Sequence, residues 1–272
     1  MAIYLYCLRK KNPALVKAVK TVGEGEAYIV PYKELEAVVS PVDLKEFGSE
    51  EIQKKAQEDV NWIKEKAQIH EHVIERAMGL GGKISPVIPM KFGTIFKTKG
   101  NLDQMMGKYY SKFKVNIGKL EGKQEWGVKI YLNEEVFENT IRDRQAKPIL
   151  DRKKKKLPKG MEFFVKKQME EVIKKEKNRK LQGVLKKIFE NLQKLAVKAS
   201  QGKNLDKVIT GRKEPMVLNL NLLIKEEKVE EFQKEVNGLK TKYQNQGLII
   251  QESGPWPPYN FVEITSEAKR SV

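Results

Sequence analysis

The side chains that could carry chemistry are few in this sequence, and their spacing does not group them. The two histidines, His70 and His72, stand two positions apart in a stretch with helical periodicity. Residues i and i+2 of a helix point to different faces, whereas a helical metal site such as H-E-x-x-H places its histidines at i and i+4. We therefore predict no metal site. His70 falls on an apolar stripe and is expected to be a hydrogen-bonded core residue, whereas His72 is expected to face solvent.

Catalytic nucleophiles have no better support. The single cysteine, Cys7, lies in the apolar run Ile3–Leu8, which predicts a buried, unreactive thiol with no intramolecular disulfide. The sequence has no G-x-S-x-G motif, and the glycines at 23 and 25 do not belong to a phosphate-binding loop. The glutamate pairs at 50–51 and 170–171 are typical of helix surfaces rather than of an acid–base site. We predict a protein that is not an enzyme and binds no cofactor.

Positive charge is concentrated in the middle of the chain. Of the formal net charge of +17, an excess of 16 lies in residues 142–213, which hold 24 Lys and Arg against 8 Asp and Glu. The densest run is Arg152 followed by Lys153, Lys154, Lys155 and Lys156. Such a run is either a solvated insertion or a surface for an anionic partner.

Two classes of anionic partner fit this charge. Nucleic-acid surfaces combine basic side chains with aromatic rings that stack on bases, and the only aromatics in residues 142–213 are Phe163, Phe164 and Phe189. This scarcity favours an acidic protein surface. Nucleic-acid binding through residues 142–213 stays the alternative function.

The hydropathy pattern predicts a cytoplasmic protein that does not enter a membrane. No apolar run approaches the roughly 20 residues of a transmembrane helix. The charges at the N-terminus follow the apolar residues, whereas a secretory signal has the opposite order.

The first 120 residues predict a small β-sheet covered by one long helix. Strands are expected at Ala2–Leu8, Tyr28–Tyr32 and Leu35–Ser40, where Pro41 ends the third. The long helix begins at Ser49 and ends at Gly79. Its apolar or neutral positions recur every three or four residues, at Ile52, Ala56, Val60, Ile63, Ala67, His70, Ile74 and Ala77. An extended segment, Ser85–Phe96, and a second helix, Asn101–Asn116, follow.

A linker-like stretch near residue 120 predicts two domains, residues 1–120 and residues 121–272. The second domain contains a basic insertion at about 142–160 and a long basic helical stretch, Met161–Ala199, with a break expected at Lys174–Lys180. The other predicted elements are strands at Glu125–Leu132, Leu205–Thr210, Met216–Ile224 and Leu248–Glu252, and a helix at Glu226–Tyr243. The order β-α-β-β-α-β predicts a ferredoxin-like domain, and the whole chain an α+β protein.

The C-terminal segment 254–262 reads GPWPPYNFV. Its three prolines exclude a helix, because each proline removes a backbone donor and fixes φ. We predict a rigid extended segment whose Trp256, Tyr259 and Phe261 pack against the protein's own surface.

Several segments, taken in order, resemble the gas vesicle protein F/L family (GvpF/GvpL). They are IYLYCL, LEAVVSPV, His70-Glu71-x-Val73, PVIPMKFGTIF, EWGVKIY and GPWPPYNFV. The lysine content of residues 152–187 departs from the family's pattern. The matching positions expected to have structural roles are His70, Pro86, Pro89, Gly93, Trp126, Gly254, Pro255, Trp256, Pro257, Pro258 and Tyr259.

The resemblance implies a non-enzymatic role in building gas vesicles, as a minor component or assembly factor that contacts the hydrophobic shell protein and other accessory proteins. It also implies a location at the gas vesicle. The first domain is the candidate shell-binding domain, through residues whose other interpretation is domain core: Met90, Phe92, Phe96, Met105, Met106, Tyr109 and Phe113. Lys153–Lys156 are the candidate contact for acidic accessory proteins.

Overall fold

A computed structural model describes residues 1–12, 19–79, 84–142 and 162–263. The predicted basic insertion, with Lys153, Lys154, Lys155 and Lys156, lies outside the described residues apart from Arg142. The chain divides into two compact units. Unit 1 comprises residues 1–125 and the chain from Trp256 onward, and unit 2 comprises Trp126–Pro255. The C-terminal segment therefore belongs to the N-terminal unit. The prediction of two consecutive domains had placed it in the second domain.

Unit 1 is built on a five-stranded antiparallel sheet. Four strands follow the order β2-β3-β1-β4, and β5 also pairs with β1. The strands are β1 Ala2–Lys10, β2 Tyr28–Tyr32, β3 Leu35–Val42, β4 Val87–Pro89 and β5 Ile95–Phe96. The three predicted strands are present, but β3 continues through Pro41 to Val42. Proline is tolerated there because β2 pairs with β3 only as far as Val39, so that β3 has one neighbour at Pro41.

The helices of unit 1 differ from the prediction of one long helix between Ser49 and Gly79. The structure has α1 Leu44–Phe47, α2 Ser49–Glu58, α3 Val60–Met78 and α4 Lys99–Leu120. The break falls at Asp59, whose side chain accepts hydrogen bonds from the backbone N–H groups of Asn61 and Trp62, at 3.1 and 2.9 Å. Aspartate competes for backbone donors in this way, so it favours a cap over a helix interior.

Only part of the predicted apolar stripe is buried. The C-terminal half of α3 packs in the core through His70, Val73, Ile74, Ala77 and Met78. By contrast α2 has no buried residue, and Val60 at the start of α3 is 54% exposed. The face that was predicted to be buried along its whole length is therefore buried only in the C-terminal half of α3 and is exposed at the N-terminus of that helix.

Unit 2 has a four-stranded sheet in the order β7-β8-β6-β9. Its elements are β6 Lys123–Leu132 (which begins in unit 1), α5 Glu134–Ile141, α6 Glu162–Leu195, β7 Ala196–Gln201, α7 Lys207–Thr210, β8 Met216–Lys225, α8 Val229–Tyr243 and β9 Leu248–Trp256. The sheet order and the succession of strands and major helices are those of a ferredoxin-like β-α-β-β-α-β unit. Trp126, Phe137, Ile188 and Phe232 are among the side chains of its core.

Two predicted elements of unit 2 are wrong. First, α6 runs without a break through Lys174–Lys180, because Ile173 and Leu181 on either side are both buried and the residues between are mostly good helix formers. Second, the strand that pairs with β8 is β7. The segment Leu205–Thr210, which was predicted to be this strand, instead contains the short helix α7. Its Val208 and Ile209 are 94% and 68% exposed, so their apolar character does not indicate a buried strand.

A buried ion pair connects the sheet of unit 1 to α3. Arg9 and Glu36 face each other on β1 and β3, and Arg9 Nε donates to Glu36 Oε1 at 2.8 Å. The same guanidinium donates to the carbonyl of Ala77 at 2.8 Å, in the last turn of α3, where a cation also complements the helix dipole. Arg9 is 1% exposed, so its charge depends on these partners.

We expect Glu36→Gln to lower the free energy of unfolding by about 3 kcal/mol, because it leaves the buried guanidinium without its countercharge. Urea denaturation measures the loss. Glu34→Gln is the control, since Glu34 forms an exposed pair with Lys114 at 2.9 Å, and the loss of an exposed pair should change stability far less. Equal losses in the two variants would contradict the importance of the buried pair.

Candidate functional site

The structure places the apolar candidates for shell-protein binding inside unit 1. Met90, Met106 and Phe113 have no exposed surface, and Phe92 is half-buried. Three others are also buried: Phe96, Met105 and Tyr109. The helical spacing that suggested a binding face on α4 is therefore the spacing of its core-facing side. In the folded unit only Phe92 among these residues keeps part of its side chain accessible to a partner.

The C-terminal segment is partly strand and partly packed turn. β9 extends to Trp256, beyond the predicted end at Glu252, and the Gly254–Pro255 peptide bond is cis. Pro257, Pro258, Phe261 and Val262 are buried, as expected of a segment packed on the protein's own surface. Trp256 and Tyr259, at 40% and 37% exposure, keep part of each ring in solvent. Most of the segment thus anchors these two aromatic side chains.

His70 is the centre of the polar cluster beneath this segment. Its Nε2 lies 3.1 Å from the carbonyl oxygen of Met90, and its Nδ1 lies 3.0 Å from the Tyr4 hydroxyl. A carbonyl can only accept, so the hydrogen bonding assigns the proton to Nε2 and leaves Nδ1 to accept from Tyr4. The Tyr4 oxygen in turn accepts the backbone N–H of Gly93 at 3.0 Å. His70 therefore links α3 to β1 and to the segment that follows β4.

This environment keeps His70 neutral. Burial lowers the pKa of His70 to about 4, although its hydrogen bond to Met90 acts in the opposite direction. Burial also raises the pKa of Tyr4. An imidazole that is uncharged at neutral pH and has both nitrogens hydrogen-bonded is a structural connector, because it has no free nitrogen to act as a base or to bind a metal.

Tyr259 joins the C-terminal segment to this cluster. Its hydroxyl donates to Glu71 Oε2 at 3.0 Å and lies 3.4 Å from His70 Nε2. Burial raises the pKa of Glu71, although the hydrogen bond from Tyr259 lowers it. Burial and the nearby Glu71 carboxylate raise the pKa of Tyr259. The phenol therefore remains protonated and serves as a permanent donor.

Glu125 and Asn260 form a second attachment of the segment. The carboxylate of Glu125 accepts from the backbone N–H of Asn260 at 3.1 Å and from its side-chain amide at 2.6 Å. Burial raises the pKa of Glu125 to about 7, the two hydrogen bonds from Asn260 lower it, and the charge of Glu71 raises it again. Glu125 is 3% exposed, so its ionisation near neutral pH takes place inside the folded unit.

The chemistry of the cluster is that of attachment. Burial raises the pKa of the Cys7 thiol to about 12, so it is not a thiolate at neutral pH. Across the described ranges, no three His, Cys, Asp or Glu side chains are grouped so that they could hold a metal ion. Within the same ranges no helix is long and apolar enough to cross a membrane.

Sequence reasoning placed His70 in the core but missed its partners. Tyr4, Glu71, Glu125 and Asn260 were not predicted as a group, because they come from distant parts of the chain: Tyr259 and His70 are 189 positions apart. One signal was present in the sequence. Tyr4 and Arg9 lie in a strand with both faces apolar, where a polar group must find a buried partner.

The raised pKa of Glu125 predicts a pH-dependent stability. Its pKa in the folded protein, about 7, exceeds the ordinary glutamate value of 4.5, so folding favours the protonated form. The contribution of Glu125 is therefore greatest below pH 4.5 and is lost as the pH rises to about 7. We expect Glu125→Gln to gain stability relative to the natural protein across this interval, by up to about 3 kcal/mol. Its amide can still bond to Asn260 if the Asn260 amide rotates.

Urea unfolding of both proteins from pH 5 to pH 8 measures this difference. Glu121→Gln is the control, because Glu121 is about half exposed in an ion pair with Lys10. The difference between Glu121→Gln and the natural protein should stay flat over this range. A flat curve for Glu125→Gln would show that Glu125 does not titrate there.

Comparison with known proteins agrees with the sequence resemblance. Residues 2–263 match the family model described as gas vesicle synthesis protein GvpL/GvpF. Gas vesicle protein F1 of Halobacterium salinarum is 22% identical over 262 residues, covering 96% of this chain and 93% of the relative. Gas vesicle protein L of a Streptomyces species is 19% identical over 265 residues, covering 97% and 94%.

Solved structures show the same fold. The crystal structure of GvpF from Anabaena sp. PCC7120 has a TM-score of 0.69 at 18% identity and covers 97% of each chain. GvpF from Microcystis aeruginosa has a TM-score of 0.68 at 18% identity, with 97% and 99% covered. Because the family model spans nearly all of the sequence, this chain belongs to the GvpL/GvpF family of gas vesicle synthesis proteins.

Proposed function

We propose that this protein is a non-enzymatic assembly factor or minor component of gas vesicles, located at the vesicle in the cytoplasm, which binds the hydrophobic shell protein and other accessory proteins. The observation that carries the proposal is the family match over residues 2–263. A hydrophobic shell subunit exposes an apolar face before it joins the wall, and such a face aggregates unless it is covered. Covering it requires a complementary surface rather than a reaction.

The exposed end of the apolar face of α3 is the best candidate for that surface in unit 1. Val60, Ile63 and Ala67 follow the spacing i, i+3, i+7 and share one side of the helix. Val60 is 54% exposed, and the other two are half-buried. The same side of the helix continues through Ile63 and Ala67 to the buried His70 and Ile74, so the exposed end is continuous with the core-facing side.

Aromatic and charged contacts hold this part of α3 in place. The rings of Phe47 and Trp62 lie 5.4 Å apart, and Trp62 Nε1 donates to Glu46 at 3.3 Å. The ammonium groups of Lys55 and Lys66 lie 4.3 and 5.8 Å from the Trp62 ring. Because these contacts join α1 and α2 to α3, the apolar side chains are presented on a preorganised surface, which lowers the entropy cost of binding.

We expect Val60→Glu to reduce capture of the shell protein about tenfold or more, because the charge would have to be desolvated in an apolar contact. The measurement is affinity capture of co-expressed shell protein by the full chain. Val115→Glu is a matched control: Val115 is 56% exposed on α4, in the same unit. Both variants should keep their stability within about 0.5 kcal/mol.

The possible outcomes test the proposed contact surface and the proposed function separately. Equal capture by the Val60 and Val115 variants would exclude this face of α3 as the contact. Failure of the natural protein to capture the shell protein at all would count against shell-protein binding itself.

A further inference from the structure

Unit 2 has a basic groove along one side of α6. The groove lies between α6 and the ends of α5 and α8, and it has a volume of about 550 Å³. Along α6 it extends from Glu176 to Lys187, which at 1.5 Å per residue is about 16 Å, or three helical turns. Three apolar side chains contribute to its lining: Ile141, Val184 and Tyr243. Its length and apolar lining suit a short helix better than a compact small molecule.

The charge of the groove is strongly positive. Its lining contains four cations, Arg179, Lys180, Lys187 and Lys242, and one carboxylate, Glu176. Arg179 already pairs with Glu176, and Lys180 lies over the Phe137 ring at 5.6 Å. Lys242 lies over the Tyr243 ring at 5.4 Å, but no ion pair joins Lys187 or Lys242 to another residue within the described ranges. These two ammonium groups are therefore available to an anionic partner.

Gly183 gives the groove an open wall. It lies inside the 34-residue helix α6, where glycine costs about 1 kcal/mol relative to alanine. A Cβ at this position would meet no atom within 4 Å, so packing inside unit 2 does not require glycine. Gly118 in α4 and Gly238 in α8 have the same open space, so Gly183 supports the groove only through its place in the lining. At Gly183 the missing side chain lets another backbone approach α6 closely.

We propose that this groove binds an acidic amphipathic helix of a partner protein, which lies along α6 with its carboxylates at Lys187 and Lys242. Its apolar side packs on the half-buried Val184, above the buried Ile141 and Tyr243 that form the floor of the groove, and its backbone passes closest to α6 at Gly183. The proposal rests on the proposed function, because the partner is taken to be another protein of gas vesicle assembly. It replaces the general expectation of an acidic partner with a defined surface and a defined shape.

The lining favours a protein helix over nucleic acid. Tyr243 is 6% exposed, so its ring is not a platform for stacked bases. Glu176 would repel a phosphate backbone, but an amphipathic helix can place a neutral or basic residue beside it. The apolar lining has a counterpart on such a helix and none on a sugar–phosphate chain.

The test uses the full chain and a fluorescent four-turn peptide with glutamates on one side and leucines and alanines on the other. A peptide of the same composition in scrambled order is the comparison. Anisotropy titrations at low salt should show binding of the amphipathic peptide and weaker binding of the scrambled one. The double variant Lys187→Glu, Lys242→Glu should weaken binding by about tenfold or more. Lys207→Glu, Lys234→Glu, with the same change of charge at exposed sites outside the groove, should weaken it by about twofold or less.

Gly183→Gln provides an independent test. It should raise the melting temperature or leave it unchanged, because glutamine is a better helix former than glycine. It should nevertheless weaken peptide binding several-fold, because the new side chain occupies the groove. A loss of binding without a loss of stability separates occupation of the groove from unfolding.

Three results would overturn the proposal. They are equal weakening by both charge-reversal pairs, equal binding of the scrambled peptide, and tighter binding of single-stranded DNA that is lost in the Lys187, Lys242 variant. The last result would assign the groove to nucleic acid. Capture of the shell protein by the same variants is measured in parallel, so that failure of the groove proposal with intact capture leaves the proposed function standing.

Discussion

Burial of β1 on both faces governs the arrangement of unit 1. The strand pairs with β3 along one edge and with β4 and β5 along the other, and all its residues from Ala2 to Arg9 are buried, so its polar side chains have no route to water. Each needs a partner inside. Tyr4 meets His70 on α3, Tyr6 bonds to Ser40 on β3 at 2.9 Å, and Arg9 meets Glu36 and the end of α3. The requirement to satisfy these groups fixes both ends of the buried half of α3.

The same requirement extends to the C-terminal segment. His70 and Glu71 are neighbours on α3, and both lie within hydrogen-bonding reach of Tyr259, while Glu125 holds Asn260. Several positions of the family resemblance thus meet in one cluster whose chemistry is attachment. This agrees with the proposal that the protein acts through its surfaces, the apolar side of α3 in unit 1 and the basic groove in unit 2.

The sequence predicted what depends on local periodicity. The strands β1 and β2, the ferredoxin-like order and the burial of His70 all follow from apolar spacing within short windows. The prediction placed Ala199 in a helix because its spacing from Leu192 and Leu195 is helical, whereas pairing with β8 makes 196–201 a strand. That pairing is a tertiary contact. The polar cluster could not be predicted for the same reason. Tyr4 and His70 lie 66 positions apart, and no local sequence pattern indicates that they are in contact.

The return of the chain to unit 1 at Trp256 has a consequence for synthesis on the ribosome. Residues 126–255 form one continuous stretch, so unit 2 has all its residues as soon as that stretch has emerged. Unit 1 must wait for Phe261 and Val262, which are buried in it, and for Tyr259 and Asn260, which bond to Glu71 and Glu125. The N-terminal half, although translated first, is completed last. Until then Glu125 and the apolar surface beneath Phe261 lack their partners, and a nascent chain that stalls before residue 256 presents an unfinished core.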